Sequence, residues 1–188
     1  YQLYQQRNHQ LWIDYAAGKV TKDELNRQRF VYPLQVVGVL QAEAIAKDFA
    51  TDFFQVIPTK SEVIPHAHEV LAELATRYNL YILSNGFHEL QRHKMRSAGL
   101  DIYFKDVILS DDIGILKPDA RLFHHALKVA NATIADSLMI GDSWESDVVG
   151  ASSVGMHQVY FSPKADASSL PFPPTYFITD LRQLLEVL

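Results

Sequence analysis

Cysteine is absent from the 188 residues, so neither a disulfide nor a thiolate metal site can belong to this protein's architecture. Long apolar runs are missing too. No stretch approaches the roughly 20 residues that a membrane span needs, and Tyr1 to Gln10 is too polar for a secretory signal. Basic charge is also scarce. Seventeen Lys and Arg against 22 Asp and Glu leave a net charge of −5 and a pI near 5.9. The cations are scattered, which excludes the basic stripe of a nucleic-acid binder. What remains is a globular composition, 48% hydrophobic, long enough for one core with a smaller appendage. The expectation is a cytoplasmic protein with neither nucleic acid nor membrane among its partners.

The periodicity changes class once along the chain. Residues 1–57 carry helical patterning only. Leu3, Tyr4, Leu11, Trp12 and Tyr15 mark a first helix that Gly18 can close. Thr21 with Glu24 forms a capping box for a second, running through Leu25 and Phe30, which Pro33 should kink or interrupt. A third, from Ala42 to Val56, sets Ala42, Ile45, Ala46, Phe49 and Phe53 on one face. The pattern breaks at Ile57-Pro58-Thr59-Lys60-Ser61.

Beyond the break, short apolar strands alternate with helices. The strands are Leu80 to Leu83, Val107 to Leu109, Leu138 to Ile140 and Gln158 to Phe161, with a further short one at Tyr176 to Ile178. Helices are predicted from Pro65 to Tyr78, His88 to Ala98, Asp119 to Val129 and around Asp147, with a last one capped by Asp180. The loop from Ser162 to Pro174 is polar and proline-bearing. Alternation of this kind predicts an α/β fold, a Rossmann-like doubly wound parallel sheet over 58–188 beside a small helical domain over 1–57.

Three of the strand ends carry unusual groups. Ser84, Asn85 and Gly86 offer a hydroxyl, an amide and a permissive backbone, suited to phosphoryl oxygens. Lys117 comes just before a helix, where a cation opposes the dipole and an unforced sequence would prefer an acid. Asp142 and Asp147 supply two carboxylates, the hard oxygen ligands Mg²⁺ prefers beside a phosphate. Carboxyl ends of parallel strands converge on one crevice. Other polar residues read more plainly. His66 with His68 and His124 with His125 lack metal-binding spacing, His88 suits a polar first-turn position better than a substrate contact, and Asp111-Asp112 suits a turn better than an acidic rim.

Ser84-Asn85-Gly86, Lys117-Pro118 and Gly141-Asp142-x-x-x-x-Asp147 resemble motifs II, III and IV of the haloacid dehalogenase (HAD) superfamily, in order, over about residues 58–162. That resemblance implies a HAD core with residues 1–57 as its cap, acting on a small phosphorylated substrate. By the same resemblance Ser84 holds the transferring phosphoryl group and Lys117 neutralises it. Asp142 binds Mg²⁺, and Asp147 completes the metal site or orients Lys117. Asn8 to Tyr15, Gly18 and Arg29-Phe30, taken with Ser84 to Phe87 and Gly141 to Asp147, are similar to the pyrimidine 5′-nucleotidase branch, which implies a nucleoside 5′-monophosphate. Trp12, Tyr15 and Phe30 fit ordinary helix packing equally well.

Two rivals keep the fold. One is a 2-haloacid dehalogenase, which needs no metal and gives paired carboxylates nothing to do. The other is a non-catalytic module that binds a phosphorylated ligand or a protein. The resemblance further implies an Asp-x-Asp pair on an opening strand, nucleophile and acid/base partner together, and no two aspartates here are separated by a single residue. The expectation is therefore that this strand, in roughly 20–40 further residues, precedes Tyr1. Intact mass checks it: a native protein of 21.3 kDa with full Mg²⁺-dependent phosphatase activity would refute the idea and require another nucleophile.

Overall fold

The computed structural model describes residues 1–164 and 167–188 and, of Glu89, the backbone alone, so Ala165 and Asp166 of the expected polar loop lie outside the described residues. The chain divides into two compact units, Tyr1–Lys60 and Ser61–Leu188.

The first unit consists of α1 (Gln2–Ala16), α2 (Lys22–Val36) and α3 (Ala42–Val56). Gly18 takes the left-handed conformation after α1, with φ +68°. The Thr21 hydroxyl accepts from the Glu24 amide at 3.2 Å, capping α2 as its spacing predicts. Pro33 does not interrupt the helix, which continues to Val36. The core here joins Phe30, Val31 and Ala46 to Tyr4, Leu34, Ala50, Phe53 and Phe54. Ile45 and Phe49, expected on the packed face of α3, are 44% and 54% exposed. The stripe they belong to is wider than the surface α2 covers. Arg29 is 6% exposed, its guanidinium 5.0, 5.5 and 5.1 Å from the ring centres of Phe30, Phe53 and Phe54. Burial lowers its pKa, but an arginine stays charged.

The second unit runs α4 (Ala67–Arg77), β1 (Leu80–Ser84), α5 (His88–Ser97), β2 (Phe104–Leu109), α6 (Ser110–Ile113) and α7 (Ala120–Ala130). It continues through β3 (Leu138–Gly141), a π-helical turn (Trp144–Val149), α8 (Gly150–Ser153), β4 (His157–Phe161), β5 (Tyr176–Ile178) and α9 (Leu184–Val187). Pro65 stays outside α4, whose entry is set by His66 at φ +66°. Strand β2 begins at Phe104, three residues before its apolar run, because pairing with Leu80 and Tyr81 of β1 carries the ladder back to Phe104.

All strand pairs are parallel: β1 with β2, and β3 with β4 with β5. Side chains alternate with the pleat. Leu80 of β1, Leu138 and Ile140 of β3, and Val159 and Phe161 of β4 face a core shared with Val70 and Leu74 of α4 and Leu184 of α9. Leu83 and Met139 point the other way, against Phe123 of α7 and Ala151 of α8. Helices thus cover both faces, as in a doubly wound α/β unit. The sheet is nevertheless in two pieces, since β1 and β3 do not pair. Every residue of β1 and β3 stays half-buried, whereas Gln158 to Phe161 of β4 are buried. Runs as apolar as Leu80 to Leu83 and Leu138 to Ile140 belong in the middle of a parallel sheet, and here each lies at an edge. Among the described residues, no helix is long and apolar enough to cross a membrane.

Helix α7 fixes the loop ahead of it through its cap. The Asp119 carboxylate accepts from the Arg121 amide at 2.9 Å and pairs with the Arg121 guanidinium at 2.7 Å. These hydrogen bonds hold its pKa at about 2, against an ordinary 3.8. Folding lowers this pKa, so the stabilisation is present above pH 3.8 and is lost as pH falls through about 2. Asp119→Ala should cost about 1 kcal/mol in urea unfolding at neutral pH. The difference from the parent should shrink in acid, and a constant difference down to the lower pH would show that the cap does not depend on the charge.

Candidate active site

Lys117 is the residue that joins the two sheets. Its side chain is 8% exposed, and Nζ donates to the Leu83 carbonyl of β1 and to Asp147 Oδ1, both at 2.6 Å. Its backbone is held as firmly. The Asn85 side chain donates to the Lys117 carbonyl at 3.0 Å and accepts from the Lys117 amide at 2.7 Å. This geometry corrects the expectation of a lysine set against a helix dipole. Asp119 is the N-cap of α7 and Pro118 lies outside the helix, so Lys117 sits ahead of the cap and points into the protein. The structure also gives Asn85 a different place from the phosphate contact expected of it, because both its polar atoms are engaged with the lysine backbone.

The partner carboxylate is built by the turn after β3. Ser143 caps that turn, its hydroxyl accepting from the Ser146 amide at 3.2 Å. The carbonyl of Ser143 accepts from the amides of both Asp147 and Val148, a wide turn of the kind often found at functional sites. Asp147 thereby folds back until Oδ2 accepts from the Ser143 amide at 3.0 Å. Gly141 permits this: a Cβ there would lie 2.2 Å from Asp147 Oδ2. Gly150 permits the approach of α8 in the same way, since a Cβ there would lie 2.6 Å from the Phe123 ring and 3.1 Å from the Pro118 Cα.

Asp147 is buried and meets Lys117 directly, with Oδ1 accepting from the lysine and Oδ2 from the Ser143 amide, the contact that orientation of Lys117 requires. Asp142 differs in every respect. It is exposed at the carboxyl end of β3 and makes no hydrogen bond or ion pair among the described residues. Lys117 and Asp147 cancel, so Asp142 leaves this strand end with surplus negative charge. An exposed carboxylate without a partner is the donor a hard cation needs, and Mg²⁺ commonly keeps several waters with one or two carboxylates and a phosphate. Among the described residues, no three acidic or histidine side chains cluster as a complete metal cage.

Ser84, half-buried at the end of β1, accepts at Oγ from the Gly86 amide at 3.0 Å and from Gln91 Nε2 at 2.7 Å. Gln91 escaped sequence reasoning. Its contact appears only in three dimensions: Gly86 lets the helix turn back on the strand end, and a Cβ at Gly86 would lie 2.5 Å from Gln91 Nε2. The other polar candidates are engaged elsewhere. His66 meets Glu69, His68 meets Tyr103, and the His88 ring accepts from Arg92. Asp112 caps the Leu109 amide at 2.8 Å, and Asp111 accepts from the His88 amide at 3.4 Å. Trp12 and Tyr15 are half-buried, edge to face with ring centres 6.0 Å apart.

The sequence pattern of haloacid dehalogenase-like hydrolases matches residues 4–155. Relatives extend the likeness over nearly the whole chain. The HAD-hydrolase YfnB of Bacillus subtilis is 28% identical over 98% of this chain and 78% of its own length. Its magnesium-bound crystal structure superposes with a TM-score of 0.87, covering 98% of this chain and 80% of that one. The pyrimidine 5′-nucleotidase YjjG of Escherichia coli is 27% identical over 100% of this chain and 82% of its own length. A 2-haloacid dehalogenase from Pseudomonas syringae, 27% identical, gives a TM-score of 0.69 over 98% of this chain and 78% of that one.

Burial gives the lysine a structural role, contrary to the tolerance that the dipole argument implied. Lys117→Met should cost about 3–5 kcal/mol in urea unfolding, because it strands a buried carboxylate. Asp147→Asn should cost a similar amount, because it strands the buried ammonium and turns an amide NH2 toward a donor that the second carboxylate oxygen now accepts from. Gly141→Ala should resemble the lysine variant, since it displaces the Asp147 side chain. If Lys117→Met melts with the parent, the pair contributes nothing to folding.

Proposed function

Because the chain belongs to the haloacid dehalogenase-like hydrolases, we propose that it forms the core of a Mg²⁺-dependent phosphatase acting on a small phosphate monoester, a nucleoside 5′-monophosphate in particular. The observation that carries the metal dependence is Asp142, an unpartnered carboxylate beside a neutral Lys117–Asp147 pair. Left alone, that negative charge would repel a phosphate dianion. Mg²⁺ at Asp142 would supply the missing positive charge and Lewis-acid polarisation of a phosphoryl oxygen.

The chain's own groups then divide the work. An ammonium has three protons, and Lys117 commits two to Leu83 and Asp147, so the third is available to a phosphoryl oxygen. The Ser84 hydroxyl offers a second donor. Asp147 orients the ammonium, and Asn85 holds its backbone. The phosphoryl group goes first to a carboxylate that we place outside residues 1–188, on a strand paired between β1 and β3. The half-buried apolar edges of those two strands support that location. Carboxylate oxygen attacks phosphorus, the ester oxygen leaves and takes up a proton, and water then hydrolyses the acyl phosphate. The nucleotide preference is supported by the likeness to YjjG, a pyrimidine 5′-nucleotidase.

The dehalogenase alternative now turns on fewer groups. Asp147 is spent on Lys117, so the paired-carboxylate argument against it reduces to Asp142. Turnover of p-nitrophenyl phosphate and of a nucleoside 5′-monophosphate panel, with and without EDTA, separates the two. Phosphatase activity lost to EDTA and restored by Mg²⁺ is the expected result. Asp142→Asn should reduce it on the order of a hundredfold or more, with the melting temperature unchanged because the side chain is exposed. Undiminished turnover in that variant sinks the metal assignment.

A further inference from the structure

We propose that Gln91 is a positioning residue for phosphate recognition: by occupying the Ser84 oxygen it forces the serine hydroxyl to act as an outward donor. The inference rests on the phosphatase reading of Ser84. A serine hydroxyl has one proton and two acceptor lone pairs. At Ser84 both acceptor positions are filled from within the protein, by the Gly86 amide at 3.0 Å and by Gln91 Nε2 at 2.7 Å. The remaining hydrogen cannot be directed at either donor. It must point away from them, toward an acceptor, which is what a phosphoryl oxygen supplies. A free serine would spend much of its time with the proton turned elsewhere, and binding phosphate would then cost the ordering of that rotor.

The site is built around this contact. Gln91 reaches Ser84 only because Gly86 lacks a Cβ, which would lie 2.5 Å from Nε2, 2.6 Å from Cγ and 2.7 Å from Cδ of Gln91. The mid-chain carbons are involved as well as the amide, so no small swing of the tip relieves the clash. Gln91 itself lies in the first turn of α5, and its amide donates to the Phe87 carbonyl at 3.0 Å, which fixes its backbone against the strand end. The glycine beside the serine is thus explained by a side chain five residues on, as well as by any approach of substrate to the backbone.

The test is steady-state hydrolysis of p-nitrophenyl phosphate, and inhibition by inorganic phosphate, on the full-length protein. Four proteins are compared: parent and Ser84→Ala, each with and without Gln91→Met. Gln91→Met keeps the length of the side chain and removes the donor. It should raise KM and the phosphate Ki roughly tenfold, the value of one directed hydrogen bond, with little change in melting temperature. In the Ser84→Ala background the same substitution should change neither constant. Gln91→Glu reverses the polarity: a carboxylate accepts the serine proton and turns it inward, so the loss should exceed that of Gln91→Met. Gly86→Ala, which evicts Gln91, should match Gln91→Met. An equal effect of Gln91→Met with and without Ser84 would mean that Gln91 only packs, and would overturn the proposal. So would parent-like constants for Gln91→Met beside a clear defect in Ser84→Ala. If Ser84→Ala alone leaves both constants unchanged, the phosphatase reading of Ser84 fails first, and the role of Gln91 falls with it.

Discussion

The whole site hangs on one buried ammonium. Lys117 lies between the carboxyl ends of two sheets that share no hydrogen bond, and it is tied to each: to β1 through the Leu83 carbonyl and to the turn after β3 through Asp147. A charge at this depth is tolerable only with a counter-charge and satisfied donors. That requirement propagates outward. It demands a carboxylate reaching back from the π-helical turn, hence no side chain at Gly141. It demands a lysine backbone at the right height, hence the two-point grip of Asn85. Close contact between α8 and the start of α7 completes the set, hence no side chain at Gly150.

Much of this was legible in the sequence, and the failures share a cause. Alternating apolar runs and helical stretches located the strands and most helix ends, because the patterns answer to local rules: the pleat, the Thr21 cap, the positive φ at Gly18. Ser84, Lys117, Asp142 and Asp147 stand out in the sequence because they are polar groups at strand ends with apolar neighbours. What could not be read was direction. Nothing local tells whether Asn85 faces a ligand or a backbone 32 positions away, nor that Asp147 turns its oxygens inward while Asp142 leaves its own in solvent. The lysine was misjudged for the same reason. Its sequence neighbours suggested a strained helix entry, whereas its real surroundings come from β1 and from the turn after β3.

Exposure on the helical unit was misjudged too, and for a different reason. Periodicity reports which residues share a face of α3, but not how wide a surface the neighbouring helix covers. Ala42 and Ala46 are buried, whereas Ile45 and Phe49, on the same stripe, remain largely open. Apolar patterning therefore overestimates the core wherever a helix has fewer neighbours than its pattern could accommodate.

The charge arrangement couples the two ligands proposed for the site. Because Lys117 is neutralised by Asp147 inside the protein, most of its attraction for an anion is already spent, and Asp142 tips the balance negative. A phosphate arriving alone meets the charge of Asp142, and a cation arriving alone lacks the phosphoryl oxygen that would complete its coordination. Each ligand removes the obstacle to the other, so their affinities must rise together and by the same factor. In the proposed reaction the buried pair also frees the lysine from carrying the electrostatics of binding by itself: with two of its hydrogen bonds fixed, it is oriented for the charge that would develop on the phosphoryl oxygens during transfer.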